Sequence, residues 1–200
     1  MKKILKSVLI FTFILIAFNH GYAQIPFKKG VKGGLSYANF YLDPESKYEY
    51  SYYPGLVAGL YLELDMPGPV NFQGELLFSQ KGAKFETPVQ EVKVHLNYIE
   101  IPVLLLYKLP LIPTLSFNIQ GGGYFGMKLD EHWEPGEYVT DGDLFKQTDY
   151  GIVVGAGFGF NALFTELQMD VRYAIGMANI SEDEAVAKNR NLIATVGIGF

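Results

Sequence analysis

Hydrophobic and polar residues alternate with a period of two along most of the chain. Between Gly55 and Leu64 the even positions are leucine or alanine, whereas the odd positions are glycine, valine, tyrosine and glutamate. Successive side chains of a β-strand point to opposite faces, so this pattern predicts strands whose two faces meet different surroundings. The eight predicted strands are 31–40, 55–64, 70–79, 92–109, 115–125, 151–160, 163–173 and 191–200.

The residue types on the less apolar face indicate what that face meets. A water-facing sheet is typically rich in threonine, lysine and glutamate, but this face is rich in glycine, which weakens a strand. Glycine suits the interior of a narrow eight-stranded barrel, which side chains just fill. The large apolar side chains are then predicted to face lipid; a soluble barrel with its apolar face inward is the alternative. The charges predicted inside, where each needs a partner, are Lys32, Glu63, Glu75, Lys81, Glu166, Asp170 and Arg172.

The connections between the predicted strands alternate between long and short. The long ones are 41–52, 83–91, 127–148 and 177–188, and the short ones are 65–69, 110–114 and 161–162. Bacterial outer-membrane barrels have an even number of strands, short periplasmic turns and long extracellular loops. We therefore predict an all-β, eight-stranded antiparallel transmembrane β-barrel with up-and-down meander topology, located in the bacterial outer membrane.

The fourth predicted strand is the longest and has one irregular feature. Its apolar positions change parity between Asn97 and Ile99. We expect either a β-bulge at this point or a strand that extends beyond the barrel.

Residues 1–23 are predicted to be a secretory signal peptide. Three lysines precede an apolar run from Val8 to Phe18, and Gly21 and Ala23 place small residues before a cut at Gln24. The apolar run is too short for the ~20 residues that a spanning helix needs. The barrel domain is therefore assigned to residues 24–200, and losing the three lysines takes the net charge from −5 to −8.

Composition excludes several classes of protein. So acidic a mature chain is a poor nucleic-acid binder. The chain has no cysteine, which excludes disulfides and lipidation of an N-terminal cysteine. Its charged content of 18% is low and its aromatic content is 15%, which is consistent with a surface that lipid partly covers.

Candidate chemistry is sparse. His95 and His132 are the two histidines outside the signal peptide, and catalysis would require a nucleophile or an acid beside one of them. The acidic segment Asp141-Gly142-Asp143 has the alternate spacing of a cation loop but lacks the rest of a calcium-binding pattern. We predict no catalytic, cofactor-binding or metal-binding residues, no cofactor and no enzyme activity.

Five short motifs resemble those of the PorT-like outer-membrane β-barrel family. In chain order they are Glu75-Leu76-Leu77-Phe78-Ser79-Gln80-Lys81-Gly82, Asn97-Tyr98-Ile99-Glu100-Ile101-Pro102, Asp149-Tyr150-Gly151, Arg172-Tyr173 with Gly176 and Asn179-Ile180, and Lys188-Asn189-Arg190. The resemblance implies an integral outer-membrane barrel, and the family's namesake is an accessory of type IX secretion. Ile198 and Phe200 also resemble the C-terminal signal that the barrel-assembly machinery recognises.

Three classes of function remain at this point. The first is a non-enzymatic barrel with a structural, adhesive or secretion-accessory role, exerted through its long acidic loops or its periplasmic face. The others are a small pore, which eight strands disfavour, and a barrel-embedded lipid-modifying enzyme. The expected partners are outer-membrane lipid, the barrel-assembly machinery during insertion and a secretion-system or envelope protein, with no nucleic acid.

The assignment of the two faces predicts the effects of three substitutions. We expect Met169→Arg to be damaging on the lipid face and Gly157→Leu to be damaging in the narrow lumen. We expect Gln168→Glu to be tolerated if the new carboxylate can pair with Arg172 or with a basic neighbour across the lumen.

Overall fold

The computed structural model describes residues 27–43, 50–86, 90–134, 144–162, 165–182 and 186–200. These residues form eight β-strands: β1 Phe27–Asp43, β2 Tyr50–Leu64, β3 Val70–Glu86, β4 Glu91–Ile112, β5 Leu115–Glu134, β6 Thr148–Ala162, β7 Thr165–Gly176 and β8 Val186–Gly199. The predicted signal peptide lies outside the described residues. Within the described ranges, no helix is long and apolar enough to cross a membrane.

The strands close into a barrel in which every strand pairs antiparallel with its neighbours in the chain. Pairing of β1 with β8 closes the sheet and runs from Gly30 opposite Gly199 to Asp43 opposite Val186. At one end the backbones of Lys29 and Phe200 are hydrogen-bonded in both directions. Closure leaves no unpaired edge strand, which is the requirement for a sheet that crosses a bilayer. The predicted eight-stranded meander is confirmed.

The two faces of the strands are as predicted. On β8, Leu192, Val196 and Ile198 are exposed on the outside of the barrel, whereas Ile193 and Thr195 are buried inside. The same alternation runs along the other seven strands, with the large apolar side chains outward. The outward side chains therefore form the apolar surface that a transmembrane barrel presents to lipid.

The irregularity expected near Asn97 lies mainly in the neighbouring strand. Asn97 pairs with Asp130 and Tyr98 pairs with Lys128, so Leu129 of β5 has no opposite residue and forms a bulge. The facing of β4 does not change at this point, because its even positions are buried from Val92 to Leu106. The sequence changes parity because the outward residues of β4 change from polar (Lys93, His95 and Asn97) to apolar (Ile99, Ile101 and Val103).

Two predicted long connections are shorter than expected. The segment 83–91 is reduced to four residues, because β3 continues to Glu86 and β4 begins at Glu91, and the segment 41–52 is reduced to 44–49. The strands continue because Ala83, Val92 and Val94 are buried inside the barrel beyond the lipid-facing band. The other connections at that end are 44–49, 135–147 and 177–185, and those at the opposite end are 65–69, 113–114 and 163–164.

The two longest connections, 135–147 and 177–185, lie at one end of the barrel, which we assign as the outer end, and the opposite end is the periplasmic end. On β8 the outward apolar positions stop at Leu192 and are followed toward the outer end by Arg190. On β4 they stop at Ile99 and are followed by Asn97 and His95. The strands thus extend past the lipid-facing band at the outer end, and the candidate site residues lie in the lumen and on this extension.

Candidate functional site

A buried network of charges crosses the middle of the lumen, and we call it the central network. It comprises Lys32, Glu75, Asp170 and Arg172, all of which are buried. Lys32 Nζ lies 2.7 Å from Glu75 Oε1 and 3.1 Å from Asp170 Oδ2. The Arg172 guanidinium lies 2.7 Å from Glu75 Oε2 and 3.1 Å from Asp170 Oδ2. Two cations thus face two carboxylates, so the network is neutral.

Amide side chains add hydrogen bonds to both carboxylates of the central network. Gln73 Nε2 donates to Glu75, and Gln120 Nε2 donates to Asp170 Oδ1 at 2.9 Å. Burying a charge is costly unless it is paired and hydrogen-bonded, and each central carboxylate has both kinds of partner. These contacts join strands on opposite sides of the barrel, because Lys32 and Glu75 lie on β1 and β3 and Arg172 lies on β7.

A second network, the upper network, lies nearer the outer end. Lys81 Nζ lies 2.5 Å from Glu100 and 2.9 Å from Asp149 Oδ2. Asp149 Oδ2 also accepts hydrogen bonds from Tyr124 and Asn189. The Lys81 ammonium lies 4.5 Å from the centroid of the Tyr124 ring, a cation–π contact. Lys81 therefore contacts two buried carboxylates and one aromatic ring.

A third set of charges lies at the periplasmic mouth. Lys108 Nζ contacts Glu63 at 2.6 Å and Glu166 at 3.3 Å, and Lys28 contacts Glu166 at 2.8 Å. Lys28 and Lys108 line a cavity of about 360 Å³ that also borders Asp65 and Glu166. This cavity lies at the periplasmic mouth, outside the central network.

The pairing with Arg172 on which the Gln168→Glu prediction partly depends is not available in the structure. Gln168 Nε2 donates to Glu63 Oε2 at 3.1 Å, so a glutamate at position 168 would place two carboxylates together. Arg172, the expected partner, already contacts Glu75 and Asp170. The sequence showed which face Gln168 is on but not which residue lies across from it.

A cluster of apolar side chains, which we call the apolar layer, packs inside the barrel beside the central and upper networks. It consists of Val57, Leu77, Leu104, Leu106, Tyr124, Val153, Ala174 and Ile193, which pack together inside the barrel. A cavity of about 10 Å³ lies between this layer and the side chains of Arg172 and Glu100, and it is the size of a single water molecule. Side chains therefore fill the lumen at this level.

The outer end is filled by an apolar cluster, the outer plug. It consists of Phe40, Ala83, Val94, Leu96, Tyr98, Ala178, Ile180 and Ala187, with Leu42, Phe85, Trp133 and Phe145 packed against it. Ile180 lies in the segment after β7 and is completely buried. The connections thus fold inward over the barrel and add to its core.

Backbone pairing holds the two inward connections together. Phe145 and Ser181 form a β-bridge, and Lys146 N donates to the Ile180 carbonyl at 2.7 Å. Glu131 accepts hydrogen bonds from the backbone N–H groups of Leu144 and Phe145. Through these bonds β5 fixes the position of the segment that closes the outer end.

The two histidines lie next to each other on the outside of the barrel, beyond the lipid-facing band. His95 pairs with His132 across β4 and β5, with ring centroids 5.9 Å apart. The Tyr53 hydroxyl lies 3.0 Å from His95 Nδ1, and Glu134 lies 3.7 Å from His95 Nε2. Burial lowers the pKa of His95, and the nearby His132 and Lys93 lower it further against the opposing effect of Glu134. His95 is therefore expected to be neutral at pH 7.

Sequence reasoning found seven of the lumenal charges and missed several others. Lys32, Glu63, Glu75, Lys81, Glu166, Asp170 and Arg172 all lie in the lumen as predicted, and the missed charges include Lys28, Glu100, Lys108, Asp149 and the Lys128–Glu131 pair. Glu100 and Lys108 share the inward parity of Leu104 and Leu106, so a consistent parity along β4 could have found them.

The structure does not extend to the predicted cation loop, because Asp141-Gly142-Asp143 lies outside the described residues. Among the residues that are described, no group of three histidine, aspartate or glutamate side chains is placed to hold a metal ion.

Comparison with known proteins identifies the type of barrel. A family model for the outer membrane protein beta-barrel domain matches residues 22–182. The structure is similar to that of OprG from Pseudomonas aeruginosa, with a TM-score of 0.60 and 12% identity over 86% of this chain and 95% of that one. It is also similar to Neisserial surface protein A (NspA), with a TM-score of 0.55 and 11% identity over 86% of this chain and 95% of that one. No curated protein matches the sequence.

Proposed function

The chain belongs to the outer membrane protein beta-barrel domain family, and we propose that it is a non-enzymatic, non-conducting barrel that acts through the surfaces at its two ends. Its place in the bacterial outer membrane is established by that family and by the barrel's lipid-facing surface. The role proposed for it is structural, adhesive or secretion-accessory, exerted through the outer loops or the periplasmic face.

The observation that carries this proposal is the filled lumen. A solute that entered from the periplasmic mouth would meet the charged central network, the apolar side chains packed beside it and the outer plug. Apolar side chains packed inside a lumen are a barrier to ions, because an ion would lose its hydration there without gaining a partner. A small pore is therefore disfavoured, and the surfaces at the ends remain as the places where the barrel can act.

The resemblance to the PorT-like family supports the secretion-accessory form of this proposal. The motifs behind the resemblance contribute Glu75, Arg172, Lys81, Glu100 and Asp149 to the two buried networks. A relative that shared these motifs would then share a filled lumen. A filled lumen suits an accessory protein better than a channel.

An enzymatic role is not supported by the surroundings of the histidines. The hydroxyl beside His95 belongs to Tyr53, and burial together with the nearby Glu134 carboxylate raises the pKa of this phenol. A raised pKa keeps the phenol protonated and makes it a poor nucleophile. Lipid turnover would be assayed with the purified protein and with a variant in which His95 and His132 are replaced by glutamine. The same turnover in both samples would agree with a non-enzymatic barrel.

The barrel-assembly machinery remains a proposed partner during insertion. Phe200 is exposed at the periplasmic end, and the Lys29 ammonium lies 5.5 Å from its ring centroid. This position leaves the terminal aromatic side chain accessible to a factor that approaches from the periplasm.

Site-specific crosslinking in the native envelope tests the proposal. A photoreactive residue would be placed at Glu182 for the outer end and at Pro67 for the periplasmic end, since both positions are exposed. Met169, which is exposed on the lipid face, is the matched control. We expect a protein adduct of defined size from one of the two ends and none from position 169.

The outcome also distinguishes the two forms of the proposal. An adduct from position 182 would indicate an adhesive or surface partner, and one from position 67 would indicate a periplasmic or secretion partner. Adducts equal in pattern and yield at all three positions, or none at either end, would contradict a role through the ends of the barrel.

A further inference from the structure

The outer rim of the lipid-facing surface is chemically different on its two sides. On the side formed by β4 and β5, the outward residues above the apolar band include Asp130 and Glu134. The cation on that side, Lys93, lies 3.6 Å from Glu91. On the side formed by β7, β8, β1 and β2, the outward residues are mainly tyrosines and cations. We call this second surface the arginine–tyrosine patch and define it as Tyr37, Tyr41, Tyr52, Tyr173, Lys188 and Arg190.

Arg190 is held at the centre of this patch. Its NH1 group donates to the Gly176 carbonyl at 3.2 Å, and its guanidinium lies 5.4 Å from the centroid of the Tyr41 ring. Across the same face, the Tyr52 and Tyr173 side chains lie close enough to interact electrostatically. Within the described part of the chain, neither Arg190 nor Lys188 forms an ion pair with a carboxylate.

The patch lies at the level where lipid headgroups begin. Leu192 is the last outward apolar residue of β8, and its neighbours across the sheet are Tyr37 on β1 and Tyr173 on β7. Tyrosine typically marks the interface between the hydrocarbon and headgroup regions. Arg190 and Lys188 are the next two outward positions of β8, so their charges lie just above that interface.

We propose that the arginine–tyrosine patch binds a phosphate group of an anionic lipid headgroup in the leaflet at the outer end of the barrel. A guanidinium presents parallel N–H donors that match phosphate oxygens, and Arg190 is positioned by Gly176 and Tyr41 before the lipid arrives. Lys188 adds a second positive charge, and exposed tyrosine hydroxyls add donors. The neighbouring lipid-facing surface holds the acyl chains of the same molecule, which favours a lipid over a soluble phosphate.

Native mass spectrometry of the purified full-length mature protein in a non-ionic detergent tests this assignment. The probe is bisphosphorylated lipid A, with the monophosphorylated form as a comparison. A cation near a membrane surface contributes roughly five-fold in affinity for an anionic lipid, so Arg190→Gln should weaken binding about five-fold and Arg190→Gln with Lys188→Gln about 25-fold. Arg190→Lys keeps the charge but loses the parallel N–H donors, so its affinity should lie between those of the unsubstituted protein and Arg190→Gln.

The matched control is Lys93→Gln, which removes one cation from the opposite side of the rim and should leave lipid binding unchanged. A loss with Lys93→Gln equal to that with Arg190→Gln would overturn the proposal, because it would indicate attraction to net charge alone. Displacement of the lipid by excess inorganic phosphate would overturn the assignment to a lipid. If Arg190→Gln does not fold, the affinity of Lys188→Gln for lipid A is measured instead, because this variant keeps the Arg190 contacts. Unchanged affinity in that variant would contradict lipid binding by the arginine–tyrosine patch.

Discussion

Replacing Arg172 by methionine tests whether the central network is dry and neutral. The guanidinium is buried and contacts both Glu75 and Asp170, at 2.7 and 3.1 Å. In the variant, Lys32 would be the one cation left between two carboxylates. Methionine fills much of the space of the arginine side chain, so the main cost is the unpaired buried charge.

The expected magnitude depends on which partners the two carboxylates keep. Removing one partner of a buried ion pair costs about 3–5 kcal/mol. Lys32 still contacts both carboxylates, so we expect the lower end, about 3 kcal/mol, which corresponds to roughly a hundred-fold change in the unfolding equilibrium. The free energy of unfolding would be measured by urea titration of the refolded barrel in lipid vesicles, with folded protein quantified by its faster migration on unboiled gels.

A second substitution provides the control for this prediction. Glu75 Oε2 is bonded to Arg172, whereas Glu75 Oε1 accepts from Lys32 and Gln73. Glu75→Gln added to Arg172→Met therefore restores charge balance and can keep the Oε1 hydrogen bonds. It should recover at least about 1 kcal/mol of the destabilisation, in the range of coupling found between neighbouring residues. A destabilisation below about 1 kcal/mol for Arg172→Met alone would refute a dry network, because an exposed ion pair contributes that little.

Three other predictions follow from the faces and the outer end. Met169→Arg should destabilise the folded barrel by about 2–4 kcal/mol in the same urea assay, and a neutral result would place position 169 away from lipid. Gly157→Leu should prevent folding, because a Cβ there would overlap Asp170 Oδ1 and lie 2.6 Å from the Met169 carbonyl oxygen; a folded variant would contradict the lumen geometry. An NMR titration should give His95 a pKa below the ordinary 6.5, and His132→Gln should raise it because a positive neighbour is removed; no change on substitution would disprove the contact. Because the folded-state pKa is lowered, the contribution of His95 to stability is present above pH 6.5 and is lost as the pH falls through the folded pKa.

The alternation of residue types was sufficient to predict the number of strands, their order and their faces. Period two is a local property of the backbone, so Leu192, Val196 and Ile198 could be assigned to one face without any knowledge of their neighbours. Chain order then determined the pairing, because short connections make antiparallel neighbours of successive strands. The closure of β1 on β8 followed from the lipid environment, in which an open edge is costly.

The contacts inside the barrel could not be predicted in the same way. Glu75 and Arg172 are 97 positions apart, and their contact depends on how far each strand is shifted relative to the next. A parity pattern carries no information on this shift, which is why Gln168 was expected beside Arg172 and lies against Glu63. The outer plug was missed for a related reason, because Ile180 and Phe145 lie in connections that no periodicity describes.

Planar-bilayer recording of the purified mature protein tests the central claim, that the barrel is closed to solutes, most directly. Insertion of the folded form would be checked by gel migration of the same preparation, so that a silent membrane reports a closed barrel and not an absent one. With the apolar layer and the outer plug both in place, we expect a flat current across the accessible voltage range. Reproducible steps of conductance that increase in number with the amount of folded protein would contradict the account.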